Sequence, residues 1–143
     1  GASGGSNFTT PPAVAVRDAG DNLVPTSGLI VAASSSLGTV FGDSSVSTVA
    51  GYANFTYVFV NLAASHLLLF SYSGLIPAVS AAITVAVGPA ADLSVSALAA
   101  SVTAGTAFST QPIVSVVDRG GNLVVVGSHA ITAMALEAPR QPA

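Results

Sequence analysis

Two stretches of this chain, one hundred positions apart, match at half of their residues. Residues 103–124 (TAGTAFSTQPIVSVVDRGGNLV) and residues 3–24 (SGGSNFTTPPAVAVRDAGDNLV) are identical at eleven of 22 positions. A fixed period of this kind indicates tandem structural units, each stacked on its neighbours. Such units usually provide reach, spacing or assembly rather than catalysis, so the repeat limits both the folds and the function classes to consider.

The period also divides the chain into two units of unequal completeness. We expect residues 1–88 to form one unit and residues 89–143 to form the N-terminal part of a second. Residues 91–101 (ADLSVSALAAS) precede the second copy and have no counterpart before the first, so the first unit is expected to lack its first strand. Roughly fifty residues bury too little surface to be stable alone. The second unit should therefore pack on the first, pack on another chain or remain partly disordered.

Charged residues are scarce in this sequence. Only nine of 143 residues are charged, Lys and Cys are absent, and 51% of the residues are apolar, whereas soluble domains carry about 25% charged residues. We therefore expect glycan or other copies of the chain to cover much of the surface. The net charge of -3 gives no electrostatic basis for binding nucleic acid, and the lack of Cys excludes disulfides and thiolate metal sites.

The most apolar region, residues 52–87, does not predict a membrane-spanning helix. Polar residues interrupt it throughout, and Gly74 and Pro77 would break a helix near its middle. Short strands fit the pattern better, because apolar and polar residues alternate between segments rich in Gly, Asn, Asp, Ser and Pro.

The alternation predicts an all-β antiparallel sandwich. In residues 52–60, a period of two places Ala53, Phe55, Tyr57 and Phe59 on one face, with Asn54 and Thr56 on the other. Further strands are predicted at residues 11–18, 28–34, 65–73, 80–87, 91–98, 108–118 and 130–136.

Both copies carry the pattern Asp, Gly, Asn-Leu-Val, which predicts a shared turn. Its residues are Asp18, Gly20 and Asn22 in the first copy and Asp118, Gly120 and Asn122 in the second. Asp and Asn accept local backbone hydrogen bonds, and Gly permits positive φ. The alternative is a cation site formed by Asp18, Asp21 and Asn22. The turn is favoured, because the second copy has Gly121 in place of Asp21 and the pattern lacks the terminal Glu of an EF-hand loop.

The order of these segments carries a resemblance to a known family. From TAGTAF, STQP, IVSVVD and RGGNLV to YANFTYVFVNLAASHLLLFSYSGLIPAVSAAITVAVGPAADLSV, the chain resembles the tandem immunoglobulin-like repeats of large cell-surface and adhesin proteins. The resemblance covers nearly the whole chain and implies a seven-stranded sandwich, with residues 73–90 closing the first unit and Pro89 starting the linker. It also implies that the protein spaces, displays or assembles other modules. The chain departs from the family pattern in its missing first strand and unfinished second copy.

Two tripeptides match the N-glycosylation sequon. They begin at Asn7 and Asn54, and the alternation of residues 52–60 points Asn54 outward. O-glycans are a further possibility at the hydroxyl-rich residues 9–12, 34–36 and 44–47. The alternative is that the two sequons arise by chance and that the Ser and Thr residues simply fill polar loops.

The sequence gives little support for catalysis. It has two His residues and no Cys or Lys, and no nucleophile elbow, metal motif or phosphate-binding glycine loop is present. His66 begins an apolar run and is interpreted as a strand-end residue, whereas His129 falls in a turn. We therefore predict no enzyme activity, no cofactor and no metal.

The leading hypothesis is an extracellular or cell-surface structural protein whose repeats polymerise or link in series into a filament or stalk. The expected partners are other copies of the chain, with strand 91–98 of a neighbour completing the edge that the first unit leaves open. The alternative is an adhesin-type module that binds a glycan or protein through its loops, for which Phe41, Tyr52 and Tyr72 are the aromatic residues most available for display. If the chain ends are artificial cuts, the array would instead be a passive spacer.

Overall fold

The chain folds into short β-strands joined by turns. The structure is a computed structural model that describes residues 1–97 and 103–134. These residues contain no helix, and hence none that could cross a membrane. The strands are β1 (Ala2–Ser3), β2 (Ala13–Ala15), β3 (Ile30–Ser35), β4 (Val40–Gly42), β5 (Ser45–Ser47), β6 (Tyr52–Asn54), β7 (Val58–Val60), β8 (Ser65–His66), β9 (Leu68–Ser71), β10 (Ala78–Val79), β11 (Ile83–Ala86), β12 (Ala90–Ser96) and β13 (Ile113–Asp118).

The strands form several small sheets, which confirms the predicted all-β class. The largest has the order β10-β9-β3-β5, a second has the order β1-β11-β8, and three further pairs are β2-β6, β4-β7 and β12-β13. All of these pairings are antiparallel except β1-β11. The segment after β1 links the sheets, because the N–H groups of Gly5 and Phe8 donate to the carbonyls of Val60 and Val58 in β7.

The hydrophobic core lies in residues 1–88, which we call the first repeat, and we call the residues from 89 onward the second repeat. Phe55 and Phe70 pack against each other there, with ring centroids 5.1 Å apart. The other buried apolar residues are Phe8, Val16, Val31, Val40, Ala53, Val58, Val60, Leu68 and Val85. In the described part of the second repeat, residues 89–97 and 103–134, no apolar side chain is buried.

Residues 52–60 form two strands instead of the single predicted strand. β6 pairs with β2, whereas β7 pairs with β4, so the chain changes partner between them. The carboxylate of Asp43 stabilises the break, because its Oδ2 accepts the N–H groups of Thr56 at 2.9 Å and Tyr57 at 2.8 Å. Hydrogen bonds from these two N–H groups to the Asp43 carboxylate therefore interrupt a strand that the alternation alone would continue.

The break also reverses the side-chain alternation. Ala53 and Phe55 are buried as predicted, but beyond the break the buried residues are Val58 and Val60, and Tyr57 is 56% exposed. An extra residue between two paired segments changes which face the following side chains occupy. The predicted face was therefore wrong at its last two members, Tyr57 and Phe59.

The other predicted strands mostly form, with shorter bounds. Strands β2, β3, β11, β12 and β13 lie within or close to the predicted ranges, and the range 65–73 divides into β8 and β9. The sequence missed β1, β4, β5 and β10, which are two or three residues long and too short to show a period.

The predicted strand at residues 130–136 does not form within residues 130–134, and its last two residues lie outside the described part. Its counterpart in the first repeat, β3, pairs with β5 and β9. No described residue takes the place of β5 and β9 beside residues 130–134.

Candidate assembly interface

The two copies of the repeated loop have the same internal structure. In the first loop (residues 18–22), Asp18 Oδ1 accepts the N–H groups of Gly20 and Asn22, both at 2.9 Å. In the second loop (residues 118–122), Asp118 Oδ1 accepts those of Gly120 at 2.8 Å and Asn122 at 2.9 Å. In each loop the Asp N–H also donates to the Asn carbonyl, so all six residues singled out in the sequence lie in matching chain reversals.

The second loop is docked on the first repeat. Asn122 Nδ2 donates to the carbonyl of Asn61 at 2.6 Å, and Asn122 Oδ1 accepts the N–H of Ala63 at 2.8 Å. Asp118 Oδ2 accepts the N–H of Gly88 at 2.7 Å. One carboxamide and one carboxylate thus hold three main-chain groups at one end of the first repeat.

Glycine at three positions allows the main chains of the two repeats to meet. A Cβ on Gly5 would lie 2.6 Å from main-chain atoms of Arg119 and Gly120. One on Gly4 would meet the Asn122 and Asp118 side chains of the second repeat, as well as the Asn61 carbonyl oxygen of its own repeat at 2.6 Å. A Cβ on Gly120 would lie 2.9 Å from main-chain carbon of Gly4. We call Gly4, Gly5, Asn61, Ala63 and Gly88 the docking end of the first repeat.

Burial distinguishes the two loops. Asp118 is 1% exposed, whereas Asp18, Gly20 and Asn22 are all exposed. Burial would by itself raise the pKa of Asp118, but hydrogen bonds from Gly88, Asn122 and Gly120 outweigh it and lower the pKa below the ordinary value. The pKa of Asp18 is also lowered, mainly by the backbone N–H of Asn22 and then by its side chain.

The edge of β2 that faces away from β6 is open. Phe55 N–H donates to the carbonyl of Pro12, and Val16 N–H donates to that of Gly51, so the even-numbered residues of this segment bond towards β6. Backbone groups alternate in direction along a strand, and those of Ala13, Ala15 and Arg17 therefore point to the other side. No described residue pairs with β2 on that side.

The second repeat shows how the equivalent edge is covered. β12 lies antiparallel to β13 there, with Val95 opposite Val114, Leu93 opposite Val116 and Asp92 opposite Val117. An offset of one hundred maps these three β13 positions onto Val14, Val16 and Arg17 of the first repeat. The β12 segment is thus the kind of strand that the open edge of β2 lacks.

A groove of about 410 Å³ is lined in part by β2 and the residues that follow it. Its lining includes Val14, Val16, Phe70, Tyr72 and Ile76. Ile76 is 96% exposed. An apolar groove next to unpaired backbone groups is the arrangement that an added strand can fill.

The two carboxylates of the alternative cation site have separate partners in the first loop. Asp18 Oδ1 accepts the N–H groups of Gly20 and Asn22, while the Asp21 carboxylate lies 3.6 Å from the Arg17 guanidinium. No group of three or more acidic or His residues in the described ranges could hold a metal ion. Asp21 has a φ of 64°, so position 21 needs the left-handed conformation that Gly121 adopts readily in the second loop.

The two sequon Asn residues lie in different surroundings. Asn54 is exposed on β6, on the face opposite to buried Ala53. Asn7 is also exposed, but its Oδ1 accepts the N–H of Val58 at 2.6 Å and its Nδ2 donates to the carbonyl of Thr56 at 3.3 Å. Asn54 is therefore the less constrained of the two attachment points.

His66 is fully buried at the end of β8. Its Nε2 lies 2.8 Å from the carbonyl oxygen of Leu62, and its Nδ1 lies 2.8 Å from Ser35 Oγ. The carbonyl can only accept, so Nε2 carries the hydrogen. Sequence reasoning placed His66 at a strand end, but it missed that the imidazole connects Ser35 of β3 to Leu62 in the turn before β8.

His129 is exposed and lies beside Ile131 and the start of β12.

A surface aromatic cluster consists of Phe41, Tyr57 and Phe59. Phe41 and Phe59 stack with ring centroids 5.3 Å apart, and Tyr57 meets Phe59 edge to face at 5.7 Å. Sequence reasoning identified Phe41 as available for display, but it assigned Tyr57 to the buried face. Tyr52 and Tyr72 are exposed too, and neither forms an aromatic pair with a described residue.

Sequence reasoning gave packing on the first unit as one of three possibilities for the second, but it did not indicate that the second loop makes the contact. The signal that could have indicated it is the pair Gly4-Gly5, since adjacent glycines outside a hairpin suggest close approach of another backbone.

Comparisons with protein-family models, curated proteins and solved structures find no match for this chain.

Proposed function

We propose that this chain is a structural repeat of an extracellular or cell-surface filament or stalk, in which immunoglobulin-like sandwich units are linked in series by strand complementation. The observation that carries the proposal is the open edge of β2, together with the pairing of β12 to the equivalent edge of β13. A β12-type strand from the neighbouring unit covers β2 in the same antiparallel register.

The side chains of β12 suit the groove beside β2. In the register of the second repeat, Leu93 would lie opposite Val16 and Val95 opposite Val14. Directly opposed residues share a face of the sheet, so Leu93 and Val95 would enter the groove. Both are exposed in the second repeat, at 57% and 58%, and burying them is favourable.

Charge supports the same register. Asp92 lies opposite Val117 in the second repeat, but the equivalent residue of the first repeat is Arg17. A β12-type strand on β2 would therefore place Asp92 opposite Arg17, and opposed charges of unlike sign stabilise a strand pair. Because the chain has only nine charged residues, this complementarity is informative.

A tandem protein tests the pairing directly. Residues 1–100 are placed before Gly1 of the full chain, which keeps the offset of one hundred and puts a β12 segment ahead of the second β2. We expect the amides of Ala15 and Arg17 in the following unit to exchange roughly tenfold or more slowly than in the 143-residue chain. Hydrogen exchange followed by NMR measures this.

Charge reversal supplies the matched control. Arg17→Asp in the following unit, or Asp92→Arg in the leading unit, should each reduce the protection, and the two changes together should restore it. Equal exchange of Ala15 and Arg17 in the tandem and in the single chain, with both proteins folded, would overturn the proposal.

The filament itself is tested by electron microscopy of arrays with two, three and four units. Serial linkage predicts rods whose length increases by a constant amount for each unit. Globular particles of varying shape would contradict it.

The proposed glycan covering is tested by mass spectrometry of protein from a secretory host that glycosylates. Asn54→Gln is expected to remove more glycan mass than Asn7→Gln.

The aromatic cluster favours a second candidate, an adhesin-type module that binds glycan. Exposed aromatic rings supply large, rigid surfaces for ligand contact, and Phe41, Tyr57 and Phe59 form such a surface. A glycan array tests this candidate. Binding that is lost with Tyr57→Ala and kept with Tyr72→Ala would support it, whereas rods without glycan binding would support the structural role alone.

A further inference from the structure

We propose that the exposed first loop is a docking surface for the docking end of another first repeat. Asn22 would bind the main chain at Asn61 and Ala63 of that repeat, and Asp18 would accept the N–H of its Gly88. This inference rests on the proposed serial arrangement, but it concerns different atoms from those of strand pairing. The partner is a second copy of residues 1–88, placed before the first loop.

The second loop provides the template. Its Asn122 and Asp118 make the three hydrogen bonds to Asn61, Ala63 and Gly88 in this structure. The first loop has the same Asp, Gly and Asn in the same hydrogen-bonded conformation. The atoms that dock in the second loop are therefore already in place in the first.

The equivalent atoms of the first loop are available. Asn22 Oδ1 accepts no hydrogen bond from the described residues, and Asp18 Oδ2 accepts one only from Asn22 Nδ2, at 3.2 Å. In the second loop the corresponding oxygens accept the N–H groups of Ala63 and Gly88. Docking would give the first loop the same two bonds.

The two differences between the loops are compatible with docking. A Cβ at Gly121 would have no atom within 4 Å, so the Asp21 side chain of the first loop has space in the docked position. Arg119 approaches Gly5 with its main-chain atoms. Ala19, the equivalent residue of the first loop, has the same main-chain atoms and could make the same contact. Gly120 must lack a side chain because it approaches Gly4, and the first loop keeps a glycine there, Gly20.

The tandem protein described above tests this docking through different amides. We expect Ala63 and Gly88 of the leading unit to be as protected as they are in the 143-residue chain. Asn22→Ala in the following unit should then accelerate exchange of the leading Ala63 by roughly tenfold. The same substitution in the 143-residue chain should leave Ala63 unchanged, whereas Asn122→Ala should expose it there. Gly20→Ala in the following unit is a second variant that should also block docking.

The outcomes separate this inference from the proposed function. Protection of Ala15 and Arg17, with rapid exchange of the leading Ala63 and Gly88, would retain strand pairing and overturn loop docking. The reverse pattern would retain loop docking and overturn strand pairing. Protected amides of Phe55 and Leu68 in both units report that each variant is folded, and rapid exchange at all four interface positions of a folded tandem would overturn both.

Discussion

The two repeats have related sequences and opposite patterns of burial. Phe8 is 6% exposed in the first repeat, whereas its counterpart Phe108 is 45% exposed. The acidic loop residues show the reverse, because Asp18 is exposed and Asp118 is 1% exposed. The first repeat thus buries its apolar residues within itself, and the described second repeat buries a polar loop against its neighbour.

This difference shows that the sequence of a loop determines its internal conformation, whereas the elements packed around a residue determine its burial. Both loops have the same internal hydrogen bonds, although one is buried and one is exposed. The burial of Phe8, by contrast, needs β7 and the core around it, and no counterpart of β7 is present in residues 103–134. Local conformation follows the repeat, whereas burial follows the elements that surround it.

The largest expected effect is in the core of the first repeat. Phe55→Ala should lower the free energy of unfolding by about 3–5 kcal/mol, because a fully buried aromatic side chain is lost and a cavity remains. The matched change in the second repeat is Val95→Ala, which should cost less than about 0.5 kcal/mol because Val95 is exposed. Urea unfolding measures both, and similar costs for the two variants would contradict the contrast.

The next largest effect should come from the docked loop. Asn122→Ala removes the partners of Asn61 and Ala63, and it should cost about 1–2 kcal/mol more than Asn22→Ala in the 143-residue chain. Asn22→Ala is the control, since it removes the same bonds within its loop and none to another repeat. Equal losses in urea unfolding would show that the docking bonds contribute nothing.

A smaller effect should follow from acidification. The folded pKa of Asp118 is below the unfolded value of about 3.9, so its stabilisation is fully present above that pH and is lost as pH falls through the folded pKa. The amide of Gly88 should therefore shift in NMR spectra as the pH falls below about 4. Asp118→Asn should abolish that titration, whereas Asp18→Asn should leave it intact.

The smallest effect should come from position 21 and its counterpart. Asp21→Gly should stabilise the chain by roughly 0.5 kcal/mol, because Asp21 has a φ of 64° that glycine adopts without strain. Gly121→Asp should destabilise the second loop by a similar amount and leave the docking bonds in place. A thermal melt measures the first change, and protection of the Ala63 amide checks the second.

The sequence predicted the parts of this fold that repeat or alternate. The all-β class and the positions of β3, β9, β11, β12 and β13 followed from periodic patterns and turn residues. The break after β6 did not, because it depends on the Asp43 carboxylate reaching Thr56 and Tyr57 across the structure. A period-two pattern contains no information about such a distant contact.

The candidate interface was predictable to a similar extent. Comparison of the two copies predicted an uncovered edge on the first, and no described residue pairs with β2 on the side away from β6. The docking of Asn122 on Asn61 was not predictable, since the two residues are 61 positions apart and a turn motif alone does not indicate what it contacts. The burial of His66 against Ser35 depended on another contact between separate parts of the sequence, 31 positions apart.

Gly4, Gly5 and Gly120 determine how far apart two adjacent repeats sit. A Cβ on Gly5 would meet main-chain atoms of Arg119 and Gly120, and one on Gly120 would meet a main-chain carbon of Gly4, so backbone radii limit how closely the two repeats approach at these positions. Substitutions on the outer faces can alter charge, glycan or ligand contact without altering this distance. In the serial array that we propose, this spacing would be kept through most changes of sequence, and a single methyl group at Gly5 would be enough to lengthen it.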